Sequence, residues 1–339
     1  MSRTVLSGLQ VADPSLEADI KSRLAVVESE LVEAVRLDDG MLDDPTPLAE
    51  TAAYLLAAGG KRFRPMMVLT AGYFGNPEDE RLIAGSVAME LTHLASLYHD
   101  DVIDEADSRR GTPSANTRWS NTIAILTGDF LFARASEMMA ALGVEPTRIL
   151  ASTIATLTDG QIREVSVAGR TDQSVEFYMG TILRKTSALI AASARLGGLL
   201  SGASDEHVDI LEAFGEEVGT AFQLSDDIMD LTSSAEVLGK EPGVDLKEGV
   251  YTLPALDALA RGGASEELVA LLAAGPPHGD RVARTLELVL GNGSIERSRQ
   301  VVADCVDRAL DLLDSLPESP ATPALRQLTE FLATRCGAR

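Results

Sequence analysis

Apolar residues recur at three- and four-residue intervals along most of this chain, and runs that alternate apolar with polar are scarce. That period belongs to helices with one buried face. It predicts helices over about residues 15–36, 47–58, 62–75, 80–106, 120–142, 147–168, 174–200 and 205–232, with several shorter ones afterwards. Turn-forming residues gather between them: LDDGMLDDPTP (38–48), GNPEDE (75–80), RRGTPSAN (109–116), SSAEVLGKEPGVDLKEG (233–249), RGGAS (261–265) and AAGPPHGD (273–280). No break has the length or low complexity of a linker, and no repeat of solenoid period appears. The pattern therefore predicts an all-α chain, one large helical bundle forming a single domain over 1–339.

Composition narrows the setting. Hydrophobic residues make up 45% of the 339 and aromatics only 4%, yet no apolar run approaches the roughly 18 residues of a membrane span. A soluble protein is expected. The opening MSRTVLSGLQVADPSLEADI lacks the apolar core and small-residue cleavage site of a secretory signal, and is too acidic for a transit peptide, which predicts the cytoplasm. Cys305 and Cys336 are too few for a disulfide framework and have no metal-ligand spacing, so reduced thiols are expected. A formal charge of -23 argues against nucleic acid and against anionic lipid. Any anionic ligand would need local cations or a bound metal to reverse the field around it.

Two acidic clusters stand out against this background. One is Asp100, Asp101 and Asp104 in HDDVIDEADSRRG; the other is Asp226, Asp227 and Asp230 in FQLSDDIMD. Positions i, i+1 and i+4 lie within about 100° of one another on a helix, so each set can face one point. Like charges so close repel, and the apolar lead-ins LTHLASLY and AFQL take the helices toward a core where bare carboxylates are costly. Either each cluster is a solvated helix end or a cation sits among the oxygens. Hard oxygen donors beside diphosphate oxygens suit Mg2+, which usually takes only one or two carboxylates. In so acidic a chain one such pattern could be chance; two are hard to dismiss.

Cations are present to balance them. GGKRFRP (59–65) sets Lys61, Arg62 and Arg64 beside glycines, where backbone N–H groups and fixed charges can meet phosphate, although basic residues at a helix start are as often merely solvated. Arg109 and Arg110 follow the first cluster by less than two helical turns, close enough to reach the metal-bound oxygens or, alternatively, to cap a surface helix. Lys185 and Thr186 interrupt the apolar ILRKTSALI; a lysine there ordinarily reaches out to the surface. His93 lies seven residues before Asp100, on nearly the same face, and alone reads as a hydrogen-bonded core histidine.

In order along the chain, GGKRFRP, DDVIDEADSRRG, LTGDFL, LRKTSALI, AFQLSDDIMD and GKEPGVDLKEGVYTLP resemble the trans-polyprenyl diphosphate synthase family over about residues 45–335. The resemblance implies a bundle of the isoprenoid synthase type with a central cavity, and elongation of an allylic diphosphate by isopentenyl diphosphate. It implies Mg2+, about three ions with substrate bound, held by Asp100, Asp104 and Asp226 with Asp101, Asp227 and Asp230 in support. Arg109, Lys185 and Lys240 would complete the allylic site, and Lys61, Arg64, His93 and Arg110 would hold isopentenyl diphosphate. Thr186 and the side-chain carbonyl of Gln223 would stabilise the developing cation. Val250 stands where many relatives have lysine, and Lys247 is near enough in sequence to substitute. A homodimer is the assembly the likeness implies.

Short-chain members place an aromatic four or five residues before the first aspartate; here Ala95 and Ser96 occupy those places, with Thr92 and Ala88 continuing the row. A long all-trans product follows, about C35 to C50, of the kind used for quinone side chains. The rival reading is that small residues merely let two helices approach, with Leu91, Phe130 or Phe132 closing the tunnel. Other readings of the whole chain are a shorter-chain synthase, a catalytic subunit that needs a helper, a terpene cyclase, a non-catalytic partner subunit and a structural helical scaffold. A cyclase usually pairs one aspartate-rich motif with an Asn/Ser/Glu motif, a non-catalytic partner predicts decayed clusters, and a scaffold leaves both clusters and GGKRFRP unexplained.

Overall fold

The computed structural model describes residues 14–36, 48–233, 242–260 and 265–339. Apart from one short hairpin, the regular elements among the described residues are helices, as the apolar period requires. They begin with α1 (Pro14–Ala34), α2 (Leu48–Ala57), α3 (Phe63–Ala71) and α4 (Arg81–Ile103). Two strands follow, β1 (Ser108–Arg109) and β2 (Thr112–Pro113), then α5 (Ala115–Arg118), α6 (Asn121–Leu142) and α7 (Val144–Val167). Next are α8 (Val175–Ile182), α9 (Ala188–Ser201) and α10 (Asp205–Thr232). The remainder is α11 (Val244–Glu248), α12 (Leu253–Ala260), α13 (Ser265–Ala273), α14 (Asp280–Leu290), α15 (Ser294–Asp314) and α16 (Thr322–Cys336).

Local chemistry sets several boundaries. The Ser120 hydroxyl accepts from the Ile123 N–H at 3.2 Å and starts α6; Ser174 does the same for α8 through Phe177, at 3.0 Å. The helix expected over 174–200 is two α-helices joined by a π-helical turn, Leu183–Ser187, which the average period does not reveal. Among the described residues no helix is long and apolar enough to cross a membrane, and both cysteines are buried free thiols.

The chain divides into two compact units. Among the described residues, one comprises those between 14 and 154 with 192–212 and 316–325; the other comprises 155–191, those between 213 and 315, and 326–339. In the first, α4 is the central helix and packs on α1, α3 and α6, with every residue from Gly85 to Thr92 buried. Its approach to α6 is close: a Cβ on Gly128 would lie 2.3 Å from His99 Nε2.

In the second unit, α12 packs on α8 and α15. Gly215, Gly219, Gln223 and Asp227 stand four apart on α10 and so share one face. A Cβ on Gly215 would lie 2.7 Å from Ala191 Cα, and one on Gly219 would lie 2.6 Å from Ser187 Cα. The two glycines therefore bring the backbone of α10 against α9 and the π turn.

Gly219→Ala should separate these backbones and lower the unfolding free energy by about 1–3 kcal/mol, outweighing alanine's better helix propensity. At Gly180 a Cβ would meet only the ends of Arg163 and Arg184, so Gly180→Ala should be near neutral. Urea titration of both variants checks this; equal losses would contradict it.

Candidate functional site

The first acidic cluster sits where α4 stops. Asp104 caps the helix, its N–H donating to the Asp100 carbonyl at 2.8 Å. The chain then reverses through Glu105, at φ 51, into the hairpin, whose central residues Arg110 and Gly111 both have positive φ, 54 and 78. Two such residues between paired strands make a tight turn of the I′ kind. This reversal returns Arg109 to Asp101, with Nε 2.7 Å and Nη2 2.6 Å from Oδ1. The break expected over 109–116 thus opens with a hairpin that brings Arg109 back to Asp101. Asp101 is turned inward and fully buried, Asp100 is half-buried and Asp104 is exposed, so the three carboxylates do not share one environment. Burial pushes the Asp101 carboxyl up, while Arg109 and then Arg110 oppose it. Asp101 Oδ2 is buried without a hydrogen-bond partner.

The cation group belongs to the same unit. Arg62, grouped by the sequence with Lys61 and Arg64 as a cation that could meet phosphate, is instead 4% exposed, in the left-handed region at φ 50, and just ahead of α3. Its Nε and Nη2 donate to the two oxygens of Glu28 at 2.6 and 2.9 Å, and Nη1 donates to Glu90 Oε1 at 2.9 Å. Arg62 is therefore a staple between α1, α3 and α4. Opening such a buried pair costs about 3–5 kcal/mol, because one charge is left unpaired. Gly60 makes room for it: a Cβ there would lie 2.7 Å from Arg62 Nη1 and 3.1 Å from Arg110 Nη1.

Around this staple stand the predicted isopentenyl-site residues. Lys61 is exposed, Arg64 and His93 are half-buried, and Arg110 Nη1 donates to the Leu55 carbonyl at 3.2 Å. Burial lowers the Arg64 guanidinium to about 10, with Glu90 and Asp100 opposing and Arg110 assisting, so it remains charged at neutral pH. Burial, then Arg64, Arg110, Arg109 and Arg62, hold His93 well below its ordinary value. His93 is accordingly neutral at pH 7 and offers a hydrogen bond to an anion.

The second cluster, on α10, is organised by hydrogen bonds. Asp227 is 2% exposed, and both its oxygens are engaged: Oδ1 accepts from Gln223 Nε2 at 2.9 Å, and Oδ2 accepts from the Tyr178 hydroxyl. An ionised carboxylate only accepts, so this bond fixes the Gln223 amide and turns its Oε1 to Thr186, whose hydroxyl donates to it at 2.8 Å. The predicted Thr186–Gln223 pair is therefore in contact, aligned by Asp227 and Tyr178. Burial raises the Asp227 carboxyl to about 7, against the bonds from Tyr178 and Gln223 and with help from Asp226 and Asp230. Asp230 is buried, and its Oδ2 accepts from the Asp245 N–H at 3.3 Å. Lys185, on the π turn, is half-buried and donates to Glu164 rather than reaching to the surface. Val250 lines a small pocket with Glu164, Tyr178, Thr181 and Tyr251, and Lys247 lies on α11 just before it. Lys240 lies outside the described residues.

Of the proposed chain-length row, Ala88, Thr92 and Ala95 are fully buried on α4, and the Ser96 hydroxyl donates to the His93 carbonyl at 2.8 Å. A Cβ on Gly128 would lie 3.1 Å from the Ala95 carbonyl, so this stretch also serves the close contact with α6.

The donors fit a hard divalent cation. They are carboxylate oxygens, and the buried Oδ2 of Asp101 shows acceptor capacity that no protein group fills. Among the described residues, no group of three or more Asp, Glu, His or Cys is arranged to hold an ion unaided. Mg2+ usually takes only one or two carboxylates and completes its octahedron with substrate oxygens and water.

The low pKa of His93 has a consequence for stability. Below about pH 6.5 the unfolded chain takes up a proton that the folded protein refuses, so stability is full above that value and declines as the pH falls. His93→Gln should flatten the decline between about pH 6.5 and 5, where one such group contributes up to about 1.4 kcal/mol per pH unit. Urea titrations across this range check it; an unchanged slope would exonerate His93.

Known proteins match this chain over most of its length. A family model described as polyprenyl synthetase matches residues 45–289. The chain is 40% identical over 336 residues to nonaprenyl diphosphate synthase of Mycobacterium tuberculosis, covering 98% of each. It is 44% identical over 315 residues to heptaprenyl diphosphate synthase component 2 of Geobacillus stearothermophilus, covering 92% of this chain and 95% of that one. Geranylgeranyl pyrophosphate synthase from Corynebacterium glutamicum, solved in complex with calcium and isoprenyl diphosphate, superposes with a TM-score of 0.85 at 40% identity, covering 96% of this chain and 99% of that chain. Matched along most of its length by family model, relatives and fold alike, the chain belongs to the polyprenyl synthetase family.

Proposed function

We propose that this chain is a trans-prenyltransferase that extends geranyl, farnesyl or geranylgeranyl diphosphate with isopentenyl diphosphate, acting as one synthase domain. The observation that carries this reading is the pairing, on α4 and the turns beside it, of a charged anion site with an acidic cluster. Arg64, Arg110 and neutral His93 lie within electrostatic reach of one another, and Asp100 is felt at Arg64. Family membership and relatives named for polyprenyl products support the same chemistry.

Asp100, Asp104 and Asp226 are the residues that would hold Mg2+, with Arg109, Lys185 and Lys240 completing the allylic diphosphate site. Magnesium, when bound, supplies positive charge against the departing pyrophosphate. Lys61, Arg64, His93 and Arg110 bind and orient isopentenyl diphosphate. The allylic C–O bond breaks with its electron pair going to pyrophosphate, and the isopentenyl double bond attacks the resulting cation. A proton then leaves the adduct for the released pyrophosphate, so no protein base is needed. Thr186 and Gln223 Oε1 present oxygen dipoles to the cation, fixed beforehand by Asp227.

The product we propose is a long all-trans chain of about C35 to C50 for quinone side chains, because Ala95 and Ser96 offer no bulky floor. The assembly is a homodimer in the cytoplasm; Ile125 and Leu126, 42% and 55% exposed on α6, support an apolar contact between copies. A second reading, a catalytic chain that requires a helper, is favoured by the 44% identity to a protein named as component 2.

The test is to incubate the purified chain with Mg2+, labelled isopentenyl diphosphate and each starter, then size the products. Long products are expected from the chain alone. Elongation only with an added helper would move the assignment to the second reading, and none under any condition would defeat both. Ala95→Phe should shorten the product; an unchanged length would sink the floor argument and leave the closing role to Leu91, Phe130 or Phe132.

A further inference from the structure

Arg335, on α16, is the side chain closest in chemistry to the second acidic cluster that neither the sequence patterns nor the reaction uses. It is 10% exposed, and its Nη2 stands 2.9 Å from Asp226 Oδ1. The guanidinium is anchored on the same turn of α10: Nε donates to Ser225 Oγ at 2.8 Å, and Nη2 donates to the Phe222 carbonyl at 2.8 Å and also to Ser225 Oγ. Its carbon lies 4.7 Å from the centre of the Phe222 ring. Three partners besides Asp226 therefore fix the fork, so its position does not depend on the carboxylate it holds.

We infer that Arg335 is a positioning residue for Asp226, fixing Oδ1 and so holding this carboxylate in a single orientation toward a divalent cation. The inference rests on the reading of Asp226 as a cation-holding residue. Its neighbours do not need the same help: Asp227 is held by Tyr178 and Gln223, and Asp230 accepts from the Asp245 N–H. Asp226, with a side chain 45% exposed, is the most accessible of the three, and an anchored guanidinium narrows the orientations its carboxylate can take. Outer-shell partners of this kind typically account for about 10–100-fold in metal affinity. Lysine cannot take over fully, since a single ammonium lacks the planar fork that meets Asp226, Ser225 and Phe222 together.

The test is Mn2+ binding to the full chain, followed by electron paramagnetic resonance with and without inorganic pyrophosphate. Arg335→Gln is expected to weaken binding by about 10–100-fold, Arg335→Lys by less, and Asp226→Asn at least as much as Arg335→Gln. If Asp226→Asn weakens binding while Arg335→Gln leaves it unchanged or tighter, the positioning role is overturned and Asp226 keeps its own. If Asp226→Asn has no effect, the cation-holding reading itself fails. Thermal melting separates a structural role: should Arg335→Gln fail to fold, Arg335→Lys decides, and a lysine variant that melts lower yet binds Mn2+ like the parent would also overturn the inference.

Discussion

A carboxylate held in the interior with both oxygens engaged is the constraint on which the α10 face depends. Asp227 is buried, and burial, helped by the charges of Asp226 and Asp230, holds its carboxyl up at about 7. The Tyr178 hydroxyl and the Gln223 amide oppose that rise by favouring the ionised form. Because the amide is spent on Asp227, its carbonyl must turn to Thr186. The geometry reaches back into the backbone, since Gly215 and Gly219 let α10 lie close enough for the bond across to the π turn. One buried negative group thus aligns three elements, α8, the π turn and α10.

The other unit solves a comparable problem with opposite charge. Arg62 is as buried as Asp227, but it meets full carboxylates, Glu28 and Glu90, in place of neutral donors. The consequence is a rigid turn whose neighbours, Lys61 and Arg64, need not spend their own charge on holding the fold. Cations concentrated beside α4 explain how a chain of net charge -23 can still receive anions. The global charge is a property of the outer surface, whereas the local field is set by side chains on and around one helix.

Much of this was legible in the sequence. The helical period located the long helices to within a few residues, and the family resemblance named Thr186 and Gln223 for one role; their direct contact is something only the fold reveals. What escaped has a common physical cause: it depends on dihedral angles or on partners far away in sequence. Arg110 and Gly111 read as a break, but nothing in their composition states that both adopt positive φ and return Arg109 to Asp101. The π turn leaves the average period intact. Glu90 and Arg335 look like ordinary surface charges until Arg62, 28 residues from Glu90, and Asp226 are placed beside them. Tyr178 carried no signal beyond its position one turn ahead of the LRKTS segment.

The hairpin after α4 works as a ruler. Arg109 reaches Asp101 across eight residues, and that interval is closed by a turn with room for two residues only. In a strand, successive side chains point to opposite faces, so one residue gained or lost ahead of Arg109 would send its guanidinium to the other side. Asp101 would then be a buried charge without its hydrogen-bonded guanidinium, an arrangement that is costly. Segment length here is as much a chemical requirement as residue identity, and variation in this protein should be sought in substitutions before insertions.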